Sequence, residues 1–472
     1  MKNKSRGIIL VILLFCLLIP LFFYNLGGFS LIDFDEAWYA EVARNILRSG
    51  NPLILTFNGN LFLDHPPAGF NIVALSFLIF GVNDFAARFP SAVFGFLSLF
   101  LLFAIGKKLF NKIIGLSSSL ILVSCVWFMF RARSGNMDTI LLFFYLLTFY
   151  FGLKVIDNRK WLYALVASFS VLFLIKYMIG LTVLVPIVFY WIIYKIPVSR
   201  KTILKSLLLL VAILTPWIIA NYLTYGLLYF QNMISSGLRM GTRIPPDLTG
   251  LLSTNTFVYL HYGIGKWYYP GLVSGVFSLF FIRKKKALVV LYALLIVLLS
   301  GFLTNSKTEI WHLIPLYPTT ALFISFTLFE ILSILSHVFT ARHRQRIVSF
   351  CMLYAILFVT LYQINKYRDN VRLFDRGMTD LAFVSAAAKN RPEKLYLDGH
   401  DFMPSTVYYS EKKVNFLRYN DPPQDNLKGF IASGEKNVLI LTENWKLEAD
   451  KIDKKIYRII TERSGRILIL VI

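Results

Sequence analysis

Long apolar stretches recur along most of the chain and are separated by short polar segments. Each stretch approaches the roughly 20 residues that a helix needs to cross the hydrocarbon core of a bilayer. About eleven spans are predicted, give or take one or two, because segments with Gly and Pro can split or merge. The predicted spans are 8–26, 84–105, 113–130, 137–153, 161–176, 178–194, 204–222, 269–282, 287–303, 313–335 and 347–364. The first is expected to remain as an uncleaved helix, since no small-residue cleavage site precedes the loop after it.

Positively charged residues fall on alternate loops, which predicts the orientation of the spans. Loops rich in Lys and Arg stay in the cytoplasm, so the amino terminus is predicted to lie inside. These residues are Lys2, Lys4, Arg6, Lys107, Lys108, Lys112, Arg159, Lys160, Lys195, Arg200, Lys201, Lys205, 283–286, Arg342, Arg344 and Arg346. The other loops, including the long ones, then face the periplasm or exterior.

The first outer loop, from about Gly27 to Asn83, contains two helices that are not expected to span. Asp33 or Asp35 can cap an amphipathic helix that Gly50-Asn-Pro52 ends, and its charge suits a position in the membrane interface. Ala68–Phe80 is apolar but only about 20 Å long at the helical rise, too short to cross. Two interfacial helices bracketing 64–67 suit a substrate with a polar head and a lipid tail.

From about Asn365 the sequence has the balance of a soluble protein. Leu395–Asp398, Val438–Leu441 and Arg466–Ile472 are predicted as strands of a small α/β domain on the outer face. The predicted organisation is therefore a polytopic α-helical membrane domain, residues 1–364, followed by an extracytoplasmic α/β domain, residues 365–472.

The amino-acid composition agrees with a membrane protein and argues against a nucleic-acid-binding, disulfide-rich or zinc-binding protein. Of 472 residues, 57% are hydrophobic and 16% are charged, and the formal net charge is +23. A basic chain can bind nucleic acid, but most of these cations belong to the loops that set orientation, so no nucleic-acid partner is expected. Cys16, Cys125 and Cys351 lie within predicted spans and give neither a disulfide framework nor a zinc-binding spacing.

Carboxylates and cations occur together near the membrane on the predicted outer side only. An acidic string containing Asp35 and Glu36 begins the first outer loop, and 131–138, Lys176-Tyr177 and 307–312 supply cations near the membrane. Such a pocket can hold a phosphate with Arg and Lys while a carboxylate serves as base. Each cation also has a simpler explanation: Arg131 and Arg133 can anchor to lipid phosphates, and Lys176 can extend to the interface.

Five stretches, in order, resemble a known superfamily. Asp35-Glu36-Ala-Trp-Tyr39-Ala is similar to the Asp-Glu-x-x-Tyr-Ala motif of polyprenyl-phosphate-sugar glycosyltransferases, the C-type membrane enzymes that include protein O-mannosyltransferases and lipid A aminoarabinose transferases. Phe62–Pro67, Ala132–Asp138, Lys176-Tyr177 and Lys307–Pro318 match further motifs. The resemblance covers residues 1 to about 335.

The resemblance implies roles for the matched residues. It makes Asp35 the catalytic base, with Glu36 as its helper, and Asp138 a second acidic site residue. Arg133 and Lys176 match positions near the donor phosphate, and Asp64 matches an acidic residue that in some members contributes to a divalent metal site. The resemblance also places Tyr39, His65 and Lys307 at the substrate-binding site. Trp38 and His65 depart from the Arg and Lys of the aminoarabinose transferases, which weakens the expectation of a lipid A acceptor.

The sequence thus predicts an inverting glycosyltransferase of the cytoplasmic membrane. It would move a sugar from a polyprenyl-phosphate donor to a lipid, protein or cell-envelope glycan at the outer face. A polysaccharide transporter or flippase is the alternative, but transporters place their charged groups near the middle of the membrane. A non-catalytic protein that presents its soluble domain would leave Asp35 and the cations dispensable.

Overall fold

The computed structural model describes residues 12–33, 35–239, 255–303, 308–338, 341–371, 376–399, 403–417 and 426–472. By their contacts the residues divide into two compact units. The first unit contains 1–24, 63–69 and 90–372, and the second contains 25–62, 70–89 and 373–472. The sequence-based boundary at 364/365 had assigned the first outer loop to the membrane domain, whereas contacts group most of that loop with the C-terminal segment.

The first unit is helical. Its helices are α1 Ile19–Phe23, most of α4 Asp84–Leu109, α5 Lys112–Ser124, α6 Val126–Ala132, α7 Asp138–Lys154, α8 Trp161–Phe173, α9 Tyr177–Thr182, α10 Leu184–Ile193, α11 Arg200–Tyr225, α12 Leu227–Arg239, α13 Thr256–Ile264, α14 Tyr268–Ser278, α15 Lys286–Leu303, α16 Leu316–Leu335, α17 Ala341–Lys366 and α18 Arg368–Val371. Short 3₁₀ turns lie at Gly265–Trp267, Leu279–Phe281, Ile310–Leu313 and Ser336–Val338.

Fewer helices than predicted are long enough to cross a bilayer alone. Among the described residues, five helices qualify by length and hydropathy: α4, α11, α15, α16 and His343–Lys366 of α17. A sixth span results if α5 and α6, which meet at a 73° bend, are taken together. The difference from eleven arises because several predicted spans form shorter helices: α8 has 13 residues, about 20 Å, and 178–194 is divided between α9 and α10.

Small residues bring helices of the first unit close together. A Cβ at Gly106 of α4 would lie 2.6 Å from the Gly115 Cα of α5, so only glycine fits there. The Ser119 hydroxyl of α5 donates to the Leu99 carbonyl of α4 at 2.8 Å. Close backbone approach with interhelical hydrogen bonds is typical of helix packing in membranes.

The second unit combines loop helices with a sheet. Its elements are α2 Asp35–Ser49, β1 Thr56–Phe57, β2 Asn60–Leu61, most of α3 Ala68–Phe80, α19 Arg376–Ala386, β3 Lys394–Leu397, α20 Met403–Ser410, β4 Val414–Phe416, α21 Asn426–Ala432, β5 Val438–Glu443, α22 Asn444–Ala449, β6 Tyr457–Arg463 and β7 Arg466–Val471. Both expected non-spanning helices, α2 and α3, form within two residues of the predicted starts.

A five-stranded mixed sheet organises the C-terminal segment in the order β4-β3-β5-β7-β6. β4, β3 and β5 are parallel, while β7 is antiparallel to both β5 and β6. Val438–Thr442 of β5 is buried throughout, as expected for a central strand covered on both faces. The three predicted strands correspond to β3, β5 and β7.

Within this second unit, α20 packs against α2. The backbone N–H of Ser405 donates to Asp33 Oδ1 at 2.8 Å, and Arg44 donates to the Tyr408 carbonyl at 2.8 Å. The helix that begins with the acidic motif therefore rests on the C-terminal segment.

Candidate functional site

Asp35 is the first residue of α2 and is half-buried, whereas Glu36 beside it is 2% exposed. Both Glu36 carboxylate oxygens bind the Arg88 guanidinium, with Nε–Oε1 at 2.8 Å and Nη2–Oε2 at 2.7 Å. Glu36 Oε2 also accepts the Ile32 N–H at 2.7 Å. Glu36 thus fixes the start of α2, and its carboxylate is committed to these three donors.

Arg88 is completely buried, and its partners explain how a charge is tolerated there. Besides Glu36, the guanidinium donates to the carbonyls of Leu26, Phe29 and Ser30 at 2.7–2.9 Å. A buried guanidinium is stable only with its donors satisfied, and here one arginine joins the chain before α2 to α2 itself.

The aromatic residues of the motif pack inside the second unit. The Tyr39 ring meets the Phe70 ring edge-on at 5.4 Å, and Tyr39 is 8% exposed. Trp38 packs against Phe57 and Phe62, with ring centroids 5.6 and 5.5 Å away. These contacts connect α2 to the β1–β2 hairpin and to α3.

In the first unit, Asp138 holds two cations. Arg131 Nε lies 2.6 Å from Asp138 Oδ2, and Lys176 Nζ lies 3.0 Å from Oδ1. Asp138 begins α7, where Asn136 Oδ1 accepts its backbone N–H at 2.8 Å. Arg131 lies in the last turn of α6, beyond the bend after Ser124, and Lys176 precedes α9. Two positive groups with one carboxylate leave the cluster net positive, which suits an anionic ligand.

Trp311 supports this cluster from the turn before α16. The Arg131 guanidinium lies over the Trp311 ring at 4.8 Å, and Trp311 is 5.9 Å from the Trp127 ring. A planar guanidinium stacked on an indole is held in orientation more firmly than a lysine would be.

Arg133 binds backbone carbonyls, and its role near the donor phosphate stays a prediction. Its guanidinium donates to the carbonyls of Leu21 and Tyr24, both at 2.8 Å. These carbonyls belong to the end of α1, where helical carbonyls lack intrahelical partners. Arg133 therefore closes a helix terminus, and Arg131 is the arginine that pairs with Asp138.

Two histidines lie near the cations. Burial and the neighbouring Lys176 ammonium lower the pKa of His65 to about 3. Burial and Lys176 likewise lower the pKa of His312 to about 4, and His312 Nδ1 accepts the Glu309 N–H at 3.1 Å. Both imidazoles are neutral at physiological pH, so they contribute hydrogen bonds and no positive charge.

Asp64 has an exposed side chain, although nearby protein atoms still desolvate its carboxyl and raise its pKa. Among the described residues, no three His, Cys, Asp or Glu side chains converge as they would around a metal ion. A metal-binding role of Asp64 stays a prediction. Lys307 lies outside the described residues.

The predicted residues thus form two groups. Asp35, Glu36 and Tyr39 share α2 in the second unit, while Asp138, Lys176 and His65 cluster in the first. The sequence patterns do not identify Arg88 as a partner of the motif. The one signal in the sequence is that an arginine lies within the apolar helix α4. Arg131 had been noted as an anchor without a site role.

Comparisons with known proteins agree with the motifs. Residues 64–220 match the family described as dolichyl-phosphate-mannose-protein mannosyltransferase. The chain is 28% identical over 315 residues to an uncharacterized protein of Aquifex aeolicus, covering 64% of this chain and 60% of that protein. It is 28% identical over 163 residues to an undecaprenyl phosphate-alpha-4-amino-4-deoxy-L-arabinose arabinosyl transferase of Pseudomonas savastanoi, covering 34% of this chain and 30% of that enzyme. These curated relatives are therefore matched over less than two thirds of their length.

A solved structure has a similar fold over nearly the whole length of the chain. ArnT from Cupriavidus metallidurans, solved bound to undecaprenyl phosphate, superposes with a TM-score of 0.74 at 14% identity, covering 98% of both chains. The chain therefore has the fold of ArnT, and its motifs resemble those of C-type membrane glycosyltransferases. In sequence, the chain is similar to members of the polyprenyl-phosphate-sugar-dependent transferases, as the family match over 64–220 and the arabinosyl transferase of Pseudomonas savastanoi show.

Proposed function

We propose that this protein is an inverting glycosyltransferase that moves a sugar from a polyprenyl-phosphate donor to an acceptor hydroxyl or amine. The observation that carries the proposal is the Arg131–Asp138–Lys176 cluster, in which two cations and one carboxylate share a buried position. The similarity of the chain to an undecaprenyl-phosphate sugar transferase supports a lipid-linked donor.

The cationic cluster would bind the donor phosphate. Asp138 holds the Arg131 and Lys176 side chains in place, and an incoming phosphate would add a second anion beside these two cations. As the bond between the anomeric carbon and the phosphate oxygen breaks, negative charge grows on the departing polyprenyl phosphate. Fixed cations stabilise that charge more than they stabilise the bound donor, and this difference accelerates the reaction.

Asp35 would act as the base. It would take the proton of the acceptor while the acceptor oxygen or nitrogen attacks the anomeric carbon from the face opposite the phosphate, which inverts that carbon. One carboxylate suffices because the phosphate leaves as an anion and needs little protonation. We assign Glu36 a positioning role because Arg88 and the Ile32 amide occupy its carboxylate.

The proposed setting is the cytoplasmic membrane, crossed about eleven times, with the amino terminus inside and both the site and the C-terminal segment outside. Short helices such as α8 would then cross together with their neighbours and loops. The acceptor would be a lipid, a protein or a cell-envelope glycan.

Mass spectrometry would test this function directly. Cell-envelope glycolipids and glycoproteins are compared with and without the protein, and a sugar present only with it identifies the acceptor. Purified protein with a polyprenyl-phosphate sugar and that acceptor should then release polyprenyl phosphate, whereas Asp35→Asn protein should not. Equal release by both proteins would reject Asp35 as the base, and an unchanged envelope with no release would reject the function.

A further inference from the structure

We propose that Tyr409 of the C-terminal segment is a positioning residue for Asp35, so that the segment forms part of the catalytic apparatus. This inference rests on the proposed function. The Tyr409 hydroxyl accepts the Leu31 backbone N–H at 2.5 Å and donates to Asp84 Oδ1 at 3.0 Å. It therefore links the chain before α2 to the start of α4.

Three hydrogen bonds hold the chain on either side of Asp35. Tyr409 binds the Leu31 N–H, Ser405 binds the Asp33 carboxylate, and Glu36 binds the Ile32 N–H. The first two of these three contacts come from α20. Leu31 lies four residues before Asp35, so the Tyr409 contact constrains the chain that leads into the start of α2.

Other contacts with the C-terminal segment hold the C-terminal half of α2. Arg44 donates to the Tyr408 carbonyl and lies 4.7 Å above the Tyr408 ring. Glu411, just after α20, accepts Arg48 at 2.9 Å. These contacts hold the C-terminal half of α2, whereas the Tyr409 hydroxyl constrains the chain just before the helix begins.

Removal of the Tyr409 hydroxyl would break two hydrogen bonds. Without the hydroxyl, both the Leu31 N–H and the Asp84 carboxylate lose a partner in a half-buried environment, where unmade hydrogen bonds are unfavourable. A mispositioned catalytic group lowers turnover because reacting atoms must meet within a narrow range of distances. Loss of the hydroxyl should therefore slow the reaction without weakening donor binding.

The test compares Tyr409→Phe with Tyr396→Phe. Tyr396 lies in β3 of the same segment and donates a hydrogen bond of 2.8 Å to Glu435, away from α2. In the full-length protein, Tyr409→Phe should lower kcat about 10-fold to 100-fold at unchanged donor KM. Tyr396→Phe should leave both constants unchanged, although it also removes one hydroxyl.

Hydrogen exchange provides a second readout that does not need the reaction. Tyr409→Phe should speed amide exchange in 31–37 selectively, and Tyr396→Phe should not. Unchanged exchange in 31–37, or wild-type kcat in an active protein, would overturn the positioning role. Wild-type protein that transfers no sugar would instead reject the proposed function, and the exchange result would still decide whether Tyr409 holds the segment.

Discussion

The guanidinium groups of Arg131 and Arg133 lie two residues apart in the chain and serve different purposes. Arg131 binds a carboxylate and an indole ring, whereas Arg133 binds two backbone carbonyls. Both arginines are buried, so their burial does not distinguish them. The two arginines therefore differ in the partners that they bind and not in their burial.

This difference leads to a prediction for donor binding. Lys176→Ala should weaken binding of a polyprenyl-phosphate analogue about tenfold to a hundredfold, since a charge-assisted phosphate contact contributes on the order of 1.5–3 kcal/mol. Arg133→Ala should chiefly lower the thermal unfolding temperature, because it leaves the Leu21 and Tyr24 carbonyls without this donor. Lys154→Ala, which removes an ion pair with Asp157, is the control. Wild-type affinity in Lys176→Ala would contradict the phosphate role.

Stability and activity should separate at Asp35. Asp35→Asn keeps an oxygen acceptor at the start of α2 and should unfold in detergent near the wild-type temperature. Its transfer rate should fall about 10²–10⁴-fold, as expected when a general base is lost. Asp33→Asn should be much milder, because the asparagine oxygen can still accept the Ser405 N–H. Equal losses at both positions would indicate a shared structural pair, and a near-wild-type rate in Asp35→Asn would exclude the base.

At the scale of elements, the start of α2 depends on a buried ion pair across 52 residues of sequence. Arg88 contributes to both α4 and the chain before α2, because it also binds the carbonyls of Leu26, Phe29 and Ser30. Removing one partner of such a pair leaves a buried charge uncompensated, which costs more than removing both.

A double-mutant cycle on Glu36 and Arg88 tests this arrangement. Glu36→Ala alone should lower the free energy of unfolding by about 3–5 kcal/mol. The double variant Glu36→Ala/Arg88→Ala should lose less than the two single losses added together, since no unpaired charge remains. Denaturation of the reconstituted protein gives all four values. Strict additivity would show that the pair does not act as a unit.

Sequence patterns predicted individual helices and strands well, but they did not predict contacts between residues that are far apart in the sequence. Short apolar runs in the polar C-terminal segment indicated β3, β5 and β7, and helix length marked α3 as non-spanning. Apolar runs, however, do not reveal where a helix ends, as at the α5–α6 bend beside Cys125. The contacts of Arg88 and Tyr409 join residues 52 and 378 positions apart, and no local pattern encodes them.

At the scale of the whole molecule, contacts within the first unit gather the predicted cytoplasmic loops. Asp157 binds Lys108 at 2.5 Å and Lys154 at 2.6 Å, which joins the end of α4 to the end of α7. Arg159 donates to the Pro197 carbonyl at 2.7 Å, which adds the loop before α11. Three basic loops therefore meet, which is expected if all of them lie on the same side of the membrane.

These contacts support a topology that single-cysteine labelling can test. In a background lacking Cys16, Cys125 and Cys351, cysteines within 27–83, 223–268 and 365–472 should react with reagents that cannot cross the membrane. Cysteines at positions 108, 284 and 344 should react only after the membrane is permeabilised. The reason is that retention of Lys and Arg on the cytoplasmic side fixes the orientation of every span between them. Labelling at position 284 in intact cells would reverse the orientation, and the proposed outer-face site would be lost with it.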